Sequence, residues 1–296
     1  MTVLETNNLS KSYGPVRAVN QLSFQVEKGQ ILGILGPNGS GKTTLLGMVL
    51  DIIKNDSGSY QWFGGQYGNN ARKNLGALLE TPNFYPYKNA VDNLEVVAHI
   101  KKVKHPRIDE LLQIVNLAHR KTSPFYTYSL GMKQRLGIAG AMIGDPEVLI
   151  FDEPTNGLDP QGIAEVRSTI VEIGQRGKTI IMASHILDEV EKVCSHVAII
   201  KNGNLLAAGP VGAIISDDVQ VEIAAEQLDQ LKNLLRTHHH INQIEAQDEK
   251  LILFVDPEFS TAEINLLAHN NGITLTHLVA KAKSLESEFL EITSKN

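Results

Sequence analysis

A glycine-rich loop, set between an apolar run and a helical pattern, constrains the fold of this chain more than any other feature. Residues 31–35 are Ile-Leu-Gly-Ile-Leu, a short apolar run that predicts a buried β-strand. Residues 36–43 follow as Gly-Pro-Asn-Gly-Ser-Gly-Lys-Thr, and residues 42–50 carry a helical pattern. A strand, a glycine-rich turn and a helix in this order are typical of a βαβ unit, so the sequence predicts an α/β fold around a mainly parallel sheet.

The loop matches the pattern G-x-x-x-x-G-K-S/T, in which backbone N–H groups surround the phosphates of a nucleoside triphosphate. The helix that follows points the positive end of its dipole at the same anion. Lys42 adds a positive charge for the β- and γ-phosphates, which makes it a catalytic candidate, and the Thr43 hydroxyl suits Mg²⁺. We predict nucleotide contacts from Gly36, Asn38, Gly39, Ser40, Gly41, Lys42, Thr43 and Thr44. The motif alone leaves kinases, GTPases and motor proteins as alternatives.

Two adjacent acids follow a second apolar run, residues 148–151. Asp152 and Glu153 stand at the predicted carboxyl end of this strand, which is where ligands bind in an open α/β sheet. We predict that Asp152 holds Mg²⁺ and that Glu153 is the general base for the attacking water. Paired acids after a strand also occur in solvated turns, so this interpretation depends on the phosphate loop.

Apolar runs and helical patterns alternate through the first two hundred residues. Further strands are predicted at residues 75–79, 179–182 and 197–200, and helices at residues 91–103, 108–117 and 162–173. This alternation predicts a parallel sheet covered by helices on both faces. Residues 4–26 lack a helical pattern and predict an antiparallel β subdomain at the N-terminus.

The pattern changes near Gly209-Pro210, where a second domain is predicted to begin. Its elements are a strand, a helix, two strands, a helix and a strand, predicted at residues 219–224, 225–235, 241–246, 251–255, 261–270 and 274–278. This order indicates a small α+β appendage of the ferredoxin-like type, closed by a final helix at residues 285–293. We therefore predict one domain over residues 1–215 and an accessory domain over residues 216–296. Regulation, dimerisation and substrate binding all remain open as roles for the second.

A third motif lies shortly before the acidic strand. Residues 128–135 are Tyr-Ser-Leu-Gly-Met-Lys-Gln-Arg, and a helical pattern follows from Met132. A serine and a glycine at a helix N-terminus form a second anion-binding site, although they also suit a simple helix cap. The segment resembles the L-S-G-G-Q signature of ABC ATPases, and its place between the phosphate loop and the acidic strand strengthens the likeness. Over residues 3–209 the chain resembles an ABC transporter ATP-binding subunit, particularly those of bacitracin-resistance and lantibiotic-immunity exporters.

The resemblance implies a P-loop NTPase fold with a helical signature subdomain, and it assigns roles to further residues. It implies that the signature contacts the γ-phosphate of ATP held by a second copy, through Ser129, Gly131 and Met132. Residues 156–160, Asn-Gly-Leu-Asp-Pro, match the D-loop, which crosses the dimer interface in the family, and Asp159 is expected to belong to the nucleotide-binding residues there. His185 matches the switch histidine, a catalytic candidate that contacts the γ-phosphate and keeps the attacking water and Glu153 aligned. Tyr13 matches the aromatic residue that stacks on adenine.

Glu80 departs from the family pattern, because a glutamine that reaches Mg²⁺ and the attacking water is usual at this position. A carboxylate only accepts hydrogen bonds, whereas an amide both donates and accepts. We predict that Glu80 joins Thr43 and Asp152 as a metal ligand in a working but altered site. The alternative is an ordinary surface glutamate.

Three aromatic residues follow Glu80, namely Phe84, Tyr85 and Tyr87. In the family this region forms a groove for the membrane subunit, so the resemblance implies that these residues contact a membrane partner. An aromatic cluster packed under a loop is nearly as well supported.

The composition fits a membrane role exerted through a partner. The net charge is -6, which disfavours a nucleic-acid partner, and no run of about 20 apolar residues is present. A single cysteine, Cys194, permits no intrachain disulfide and fits the cytosol.

The resemblance implies a cytoplasmic subunit, peripheral at the inner face of the membrane, that forms an ATP-dependent homodimer on a separate multi-span permease. A soluble ABC ATPase acting on ribosomes or DNA and a degenerate regulatory module are the alternatives; the residues do not reveal the cargo.

Overall fold

The computed structural model describes residues 1–214, 219–256 and 258–282, together with residues 285, 288, 289 and 292. The chain divides into two compact units, Met1–Val211 and Gly212–Asn296. This division lies slightly before the predicted domain boundary at residue 215.

The first unit contains nine strands and six helices in its described residues, and a short seventh helix begins at its last residue. The strands are β1 (Thr2–Tyr13), β2 (Val16–Glu27), β3 (Ile31–Leu35), β4 (Ser57–Trp62), β5 (Leu75–Leu78), β6 (Val148–Asp152), β7 (Thr179–Ser184), β8 (His196–Lys201) and β9 (Asn204–Pro210). The helices are α1 (Lys42–Val49), α2 (Ala90–Ile100), α3 (Ile108–Ile114), α4 (Leu130–Met142), α5 (Pro160–Gln175), α6 (Leu187–Val193) and α7 (Val211–Ile214). Short 3₁₀ turns lie at Phe63–Gly65, Gly68–Asn74, Ala118–Arg120 and Phe125–Thr127.

The main sheet has six strands in the order β5-β6-β7-β3-β8-β9. All neighbouring pairs are parallel except β8 and β9, which are antiparallel. Every residue of β6 and β7 is buried, as expected for central strands covered on both faces. The carboxyl ends of β3, β6 and β7 therefore meet at one edge, and the predicted mainly parallel sheet is confirmed.

A second sheet, β2-β1-β4, is antiparallel and forms the predicted N-terminal β subdomain. The sequence does not predict β4, because Ser-Gly-Ser-Tyr-Gln-Trp has no apolar alternation and only its last residue is buried. Helices α2, α3 and α4 pack together as the helical subdomain. Helix α4 begins at Leu130, two residues before the predicted start, because the Ser129 side chain accepts a hydrogen bond from the Met132 N–H and caps the helix there.

The second unit contains β10 (Val219–Ala225), α8 (Leu228–Leu235), β11 (Ile241–Gln247), β12 (Lys250–Val255), α9 (Thr261–Asn270) and β13 (Leu275–Ala282). Its four strands form an antiparallel sheet in the order β11-β12-β10-β13, so the first and third strands of the unit are central. Buried residues of the sheet and both helices form its core, including Val221, Leu231, Leu253 and Ile264. The element order is the one predicted from the sequence. The final helix predicted at residues 285–293 lies largely outside the described residues.

Among the described residues, none of the helices has both the length and the hydrophobicity needed to span a membrane.

Candidate active site

Three loops converge at the carboxyl edge of the main sheet because their strands are parallel neighbours. The phosphate loop leaves β3, the acidic pair ends β6, and His185 follows β7. Leu35 is paired in register with Ser184, and Asp152 with Ala183, so the three strands end at nearly the same level. The fold therefore brings together Lys42, Asp152, Glu153 and His185, which are far apart in sequence.

The phosphate loop is shaped by contacts that only glycine permits. Gly41 has a φ of +105°, and a Cβ atom there would lie 2.1 Å from the Ala18 carbonyl oxygen. A Cβ atom on Gly36 would lie 2.2 Å from the Ile200 carbonyl oxygen. The loop is thus packed against β2 on one side and β8 on the other. Its residues divide into buried Gly36, Ser40 and Lys42, half-buried Gly41 and Thr44, and exposed Asn38, Gly39 and Thr43.

Lys42 is buried within the loop, with 5% of its side chain exposed. Its Nζ donates hydrogen bonds to the carbonyl oxygens of Gly36 at 2.8 Å and Pro37 at 3.2 Å. The same atom lies 3.2 Å from Glu153 Oε1. A buried ammonium group at the start of α1, with carbonyl and carboxylate partners, is a centre of positive charge suited to phosphate oxygens.

Glu153 links this lysine to the histidine. Its Oε2 lies 2.8 Å from His185 Nδ1, while its Oε1 faces Lys42. The backbone of Glu153 is left-handed, with φ of +48°, which costs a non-glycine residue about 1–2 kcal/mol. A hydrogen bond from the Glu153 N–H to the Ala183 carbonyl, 3.0 Å long, holds this turn. Lys42, Glu153 and His185 are therefore one connected polar chain, and the carboxylate at its centre is placed to accept a proton.

Asp152 is the most deeply buried acid of this group, with 1% of its surface exposed. Neither carboxylate oxygen makes a well-formed hydrogen bond within the described part of the chain. Burial raises the pKa of Asp152, and the charges of Glu153 and Glu80 raise it further, whereas the nearby Thr43 hydroxyl and the charge of Lys42 lower it in part. A buried, unpaired carboxylate beside a hydroxyl fits a divalent cation, which would supply the missing partner.

Glu80 lies at the end of β5 with an exposed side chain and a left-handed φ of +54°. Its backbone carbonyl is 3.5 Å from Gln134 Nε2, and its charge reaches Asp152. The described residues contain no cluster of three or more histidine, cysteine, aspartate or glutamate side chains that could hold a metal alone. A Mg²⁺ ion at Asp152 would accordingly depend on phosphate oxygens for part of its coordination, as Mg²⁺ sites commonly do.

The predicted signature and D-loop residues form a separate group. Asp159 caps α5 by accepting a 2.9 Å hydrogen bond from the Gly162 N–H, and Gly131 packs so closely that a Cβ atom would lie 3.3 Å from Gly162 Cα. Within the described residues, no hydrogen bond or ion pair joins Ser129, Gly131, Met132 or Asp159 to the polar chain of Lys42, Glu153 and His185.

Tyr13 is the last residue of β1, the central strand of the antiparallel sheet, and is about half exposed. Lys11 Nζ lies 5.7 Å from the centroid of its ring. Tyr13 pairs with Val16 of β2, the strand whose Ala18 carbonyl abuts Gly41. An exposed ring is therefore carried on the strand pair that touches the phosphate loop, which suits stacking on a base.

Sequence reasoning assigned no role to Thr155, Ser184 or Glu189, three polar residues that follow or precede Glu153 and His185 within four positions. Thr155 donates a hydrogen bond to the buried Glu189 carboxylate, and Ser184 lies within reach of the same oxygen. The available signal was an acid on the buried face of a helix, because the other buried residues of α6 are Val190 and Val193.

Comparison with known proteins identifies the family. A family model described as ABC transporter matches residues 19–156. The bacitracin transport ATP-binding protein BcrA of Bacillus licheniformis is 37% identical over 297 residues, which cover 98% of this chain and 97% of that protein.

The chain belongs to the ABC transporter ATP-binding family.

Two further comparisons agree with this assignment. The lantibiotic transport ATP-binding protein SrtF of Streptococcus pyogenes is 38% identical over 204 residues, covering 69% of this chain and 89% of that protein. The structure of cbiO1 from Clostridium perfringens, part of the ABC transporter complex cbiONQ, has a TM-score of 0.65 and 26% identity, covering 80% of this chain and 95% of that chain.

As a member of the ABC family, the chain is an ATP-binding subunit that hydrolyses ATP to power transport. The predicted family, α/β P-loop NTPase fold and ATPase activity are therefore confirmed. The roles of the individual site residues, the use of Mg²⁺ and the identity of the partners stay predictions.

Proposed function

We propose that this chain is the cytoplasmic motor of a membrane exporter, working as an ATP-dependent homodimer at the inner face of the membrane on a separate multi-span permease. The observation that carries the proposal is the separation of two phosphate-binding elements within one chain. Lys42, Glu153 and His185 are connected at 2.8–3.2 Å, whereas Ser129 and Gly131 stand apart at the start of α4. A second copy would supply the missing half of each site.

Hydrolysis follows from the arrangement around Glu153. Lys42 exchanges its carbonyl partners for β- and γ-phosphate oxygens when ATP occupies the loop. Glu153, released from Lys42, accepts the proton of the attacking water, and His185 at 2.8 Å orients the carboxylate. Tyr13 stacks on the adenine, and the N–H groups of residues 38–44 hold the phosphates.

Magnesium completes this site. Asp152 and Thr43 are the residues that would hold the ion, because Asp152 presents a buried carboxylate without a well-formed hydrogen bond and Thr43 lies beside it. Glu80 is the proposed third ligand. When bound, Mg²⁺ neutralises charge on the phosphate oxygens during transfer. The bound ion would give the buried Asp152 carboxylate a positively charged partner.

An exposed aromatic surface supports a partner in the membrane. Tyr85, Tyr87 and Tyr126 are exposed, Tyr87 by 85%, and the rings of Tyr87 and Tyr126 meet edge to face. Aromatic residues are enriched at protein interfaces. Phe84, by contrast, packs on Phe125 at 5.3 Å between ring centroids, so it belongs to the support of this surface rather than to its face.

The names of the similar proteins support a role in transport. BcrA is a bacitracin transport protein and SrtF a lantibiotic transport protein, and both share more than a third of their aligned residues with this chain. The alternative is a soluble ABC ATPase that acts on ribosomes or DNA. The described residues contain no second ATPase unit, which does not favour this alternative.

The proposal is tested by affinity purification of the tagged chain from detergent-solubilised membranes of its host, with partners identified by mass spectrometry. The expected result is a stoichiometric multi-span protein that is lost when Tyr85 and Tyr87 are both replaced by serine. Recovery of ribosomal or DNA-associated proteins alone, from a chain that still hydrolyses ATP, would contradict the exporter assignment.

Glu80→Gln is expected to change the Mg²⁺ concentration at which hydrolysis is half-maximal, by about threefold to tenfold. The charge on Glu80 reaches Asp152 and draws cations, whereas an amide in its place would attract the metal less strongly. Phosphate release measured across a Mg²⁺ titration checks this, with Glu95→Gln, on α2, as the matched control. Superimposable titrations of Glu80→Gln and the parent chain would place Glu80 outside the metal site.

A further inference from the structure

Glu189 is a buried acid that the proposed chemistry does not use. It lies on α6 with 2% of its surface exposed. Its Oε2 accepts a hydrogen bond from Thr155 Oγ1 at 2.5 Å and lies 3.4 Å from Ser184 Oγ. Its Oε1 is buried without a hydrogen-bond partner among the described residues. Burial raises the pKa of Glu189, and the hydrogen bonds from Thr155 and Ser184 lower it in part.

The two hydroxyl groups that meet this carboxylate come from two different active-site loops. Thr155 lies two residues after Glu153, in the loop that leaves β6. Ser184 immediately precedes His185 at the end of β7, and its Oγ also accepts a 3.0 Å hydrogen bond from the Ile186 N–H. Glu189 therefore connects α6 to the loop that leaves β6 and to the end of β7.

Such a tie bears on Glu153 because this residue lies just beyond the end of β6, in a turn held by the hydrogen bond from its N–H to the Ala183 carbonyl. Its φ of +48° is unfavourable for a glutamate, and its carboxylate depends on His185 at 2.8 Å for one of its two contacts. A shift of either loop would separate these groups. An apolar residue would fill the buried position of Glu189 at lower cost than an acid, so packing alone does not account for it.

We propose that Glu189 is a positioning residue, which holds Glu153 and His185 in hydrogen-bonding register by binding Thr155 and Ser184. The inference rests on the roles proposed above for Glu153 and His185. It concerns the rate of hydrolysis after ATP has bound, because no contact joins Glu189 to the phosphate loop within the described residues.

Glu189→Met and Glu189→Gln form a matched pair that tests this inference. Methionine keeps the length of the side chain but leaves both hydroxyl groups without their acceptor, whereas glutamine retains an acceptor oxygen. We expect Glu189→Met to lower kcat about 10- to 100-fold, since a displacement near 1 Å can cost that much. KM for ATP, the dissociation constant of a fluorescent ATP analogue and Tm should change little. Glu189→Gln should have a kcat within about threefold of that of the parent chain.

Thr155→Val provides a second route that does not alter the buried acid. It removes the hydroxyl from the other end of the shorter hydrogen bond, and we expect it to lower kcat in the same way. If both changes break one link, the double variant Thr155→Val with Glu189→Met is no slower than the slower single variant. Glu191→Met, an exposed position on the same helix, is the control and should keep the parent kcat.

Three results would overturn the inference: an unchanged kcat in Glu189→Met, equal losses in Glu189→Gln and Glu189→Met, or losses of Tm and ATP affinity that parallel the loss of rate. The roles of Glu153 and His185 are checked separately with Glu153→Gln and His185→Ala. If those two variants hydrolyse ATP at the parent rate, the proposed site is wrong. If both are impaired while Glu189→Met hydrolyses ATP at the parent rate, only the inference about Glu189 is wrong.

Discussion

Glu153→Gln is expected to lower kcat for ATP hydrolysis by about 10²–10⁴-fold, the range that general base catalysis contributes. The substitution keeps the shape of the side chain but removes its capacity to accept a proton. It also removes a negative charge 3.2 Å from Lys42 Nζ, so ATP should bind at least as tightly as in the parent chain. Phosphate release gives kcat, and equilibrium binding of ATP gives the dissociation constant.

Glu172→Gln is the control for this change, because Glu172 is a half-buried glutamate on α5 that pairs only with Arg176 in the described structure. It should leave both quantities unchanged. A Glu153→Gln chain that hydrolyses ATP within about threefold of the parent rate would remove Glu153 as the base. Weakened ATP binding without a change in kcat would instead mean that Glu153 contributes to the binding of ATP and not to the chemical step.

Asp152→Asn is expected to have two opposite effects, a loss of Mg²⁺-dependent hydrolysis and a gain in the stability of the nucleotide-free, metal-free chain. The first follows because an amide oxygen binds Mg²⁺ far less strongly than a carboxylate. The second follows because a neutral amide costs less to bury than an ionised carboxylate whose oxygens lack a well-formed hydrogen bond. We expect the free energy of unfolding to rise by about 1–2 kcal/mol at pH 7.5.

The pH dependence of this gain follows from the pKa of Asp152, which burial raises above its unfolded value. Between the two pKa values the folded chain binds more protons than the unfolded chain, so the stability of the parent falls as pH rises through that interval. The stabilising effect of Asp152→Asn should therefore shrink as pH is lowered towards about 4. Urea titrations in EDTA at several pH values measure this. A variant that is less stable than the parent at pH 7.5 would contradict the account.

The sequence predicts those parts of the fold that have a strong local signal. The residues of β3 and β6 are apolar runs that lead directly into the phosphate loop and the acidic pair, so both the strands and their sites were predictable. The parallel order of the sheet then brings Lys42, Asp152 and Glu153 to one edge. By contrast, β4 is polar and mostly exposed, and it is defined by pairing with β1 rather than by its own residues.

The supporting contacts of the site were not predictable, because each one joins segments that are distant in sequence. Thr155 and Glu189 are 34 residues apart, and both are ordinary polar residues until the fold buries them together. The signature shows the same limit. Its sequence indicates a phosphate site at a helix N-terminus, but only the structure shows Gly131 packed against Gly162 of α5, with no hydrogen bond between Ser129 and Lys42 in the described part of the chain.

Light scattering of Glu153→Gln, with and without ATP and Mg²⁺, tests the central claim most directly: each ATP is enclosed between two copies of this chain. The prediction is a mass of one chain without nucleotide and of two chains with it. Adding Ser129→Arg, which would obstruct the signature side of the site, should keep the chain monomeric while ATP still binds. A Glu153→Gln chain that binds ATP and remains a monomer would contradict the two-copy site.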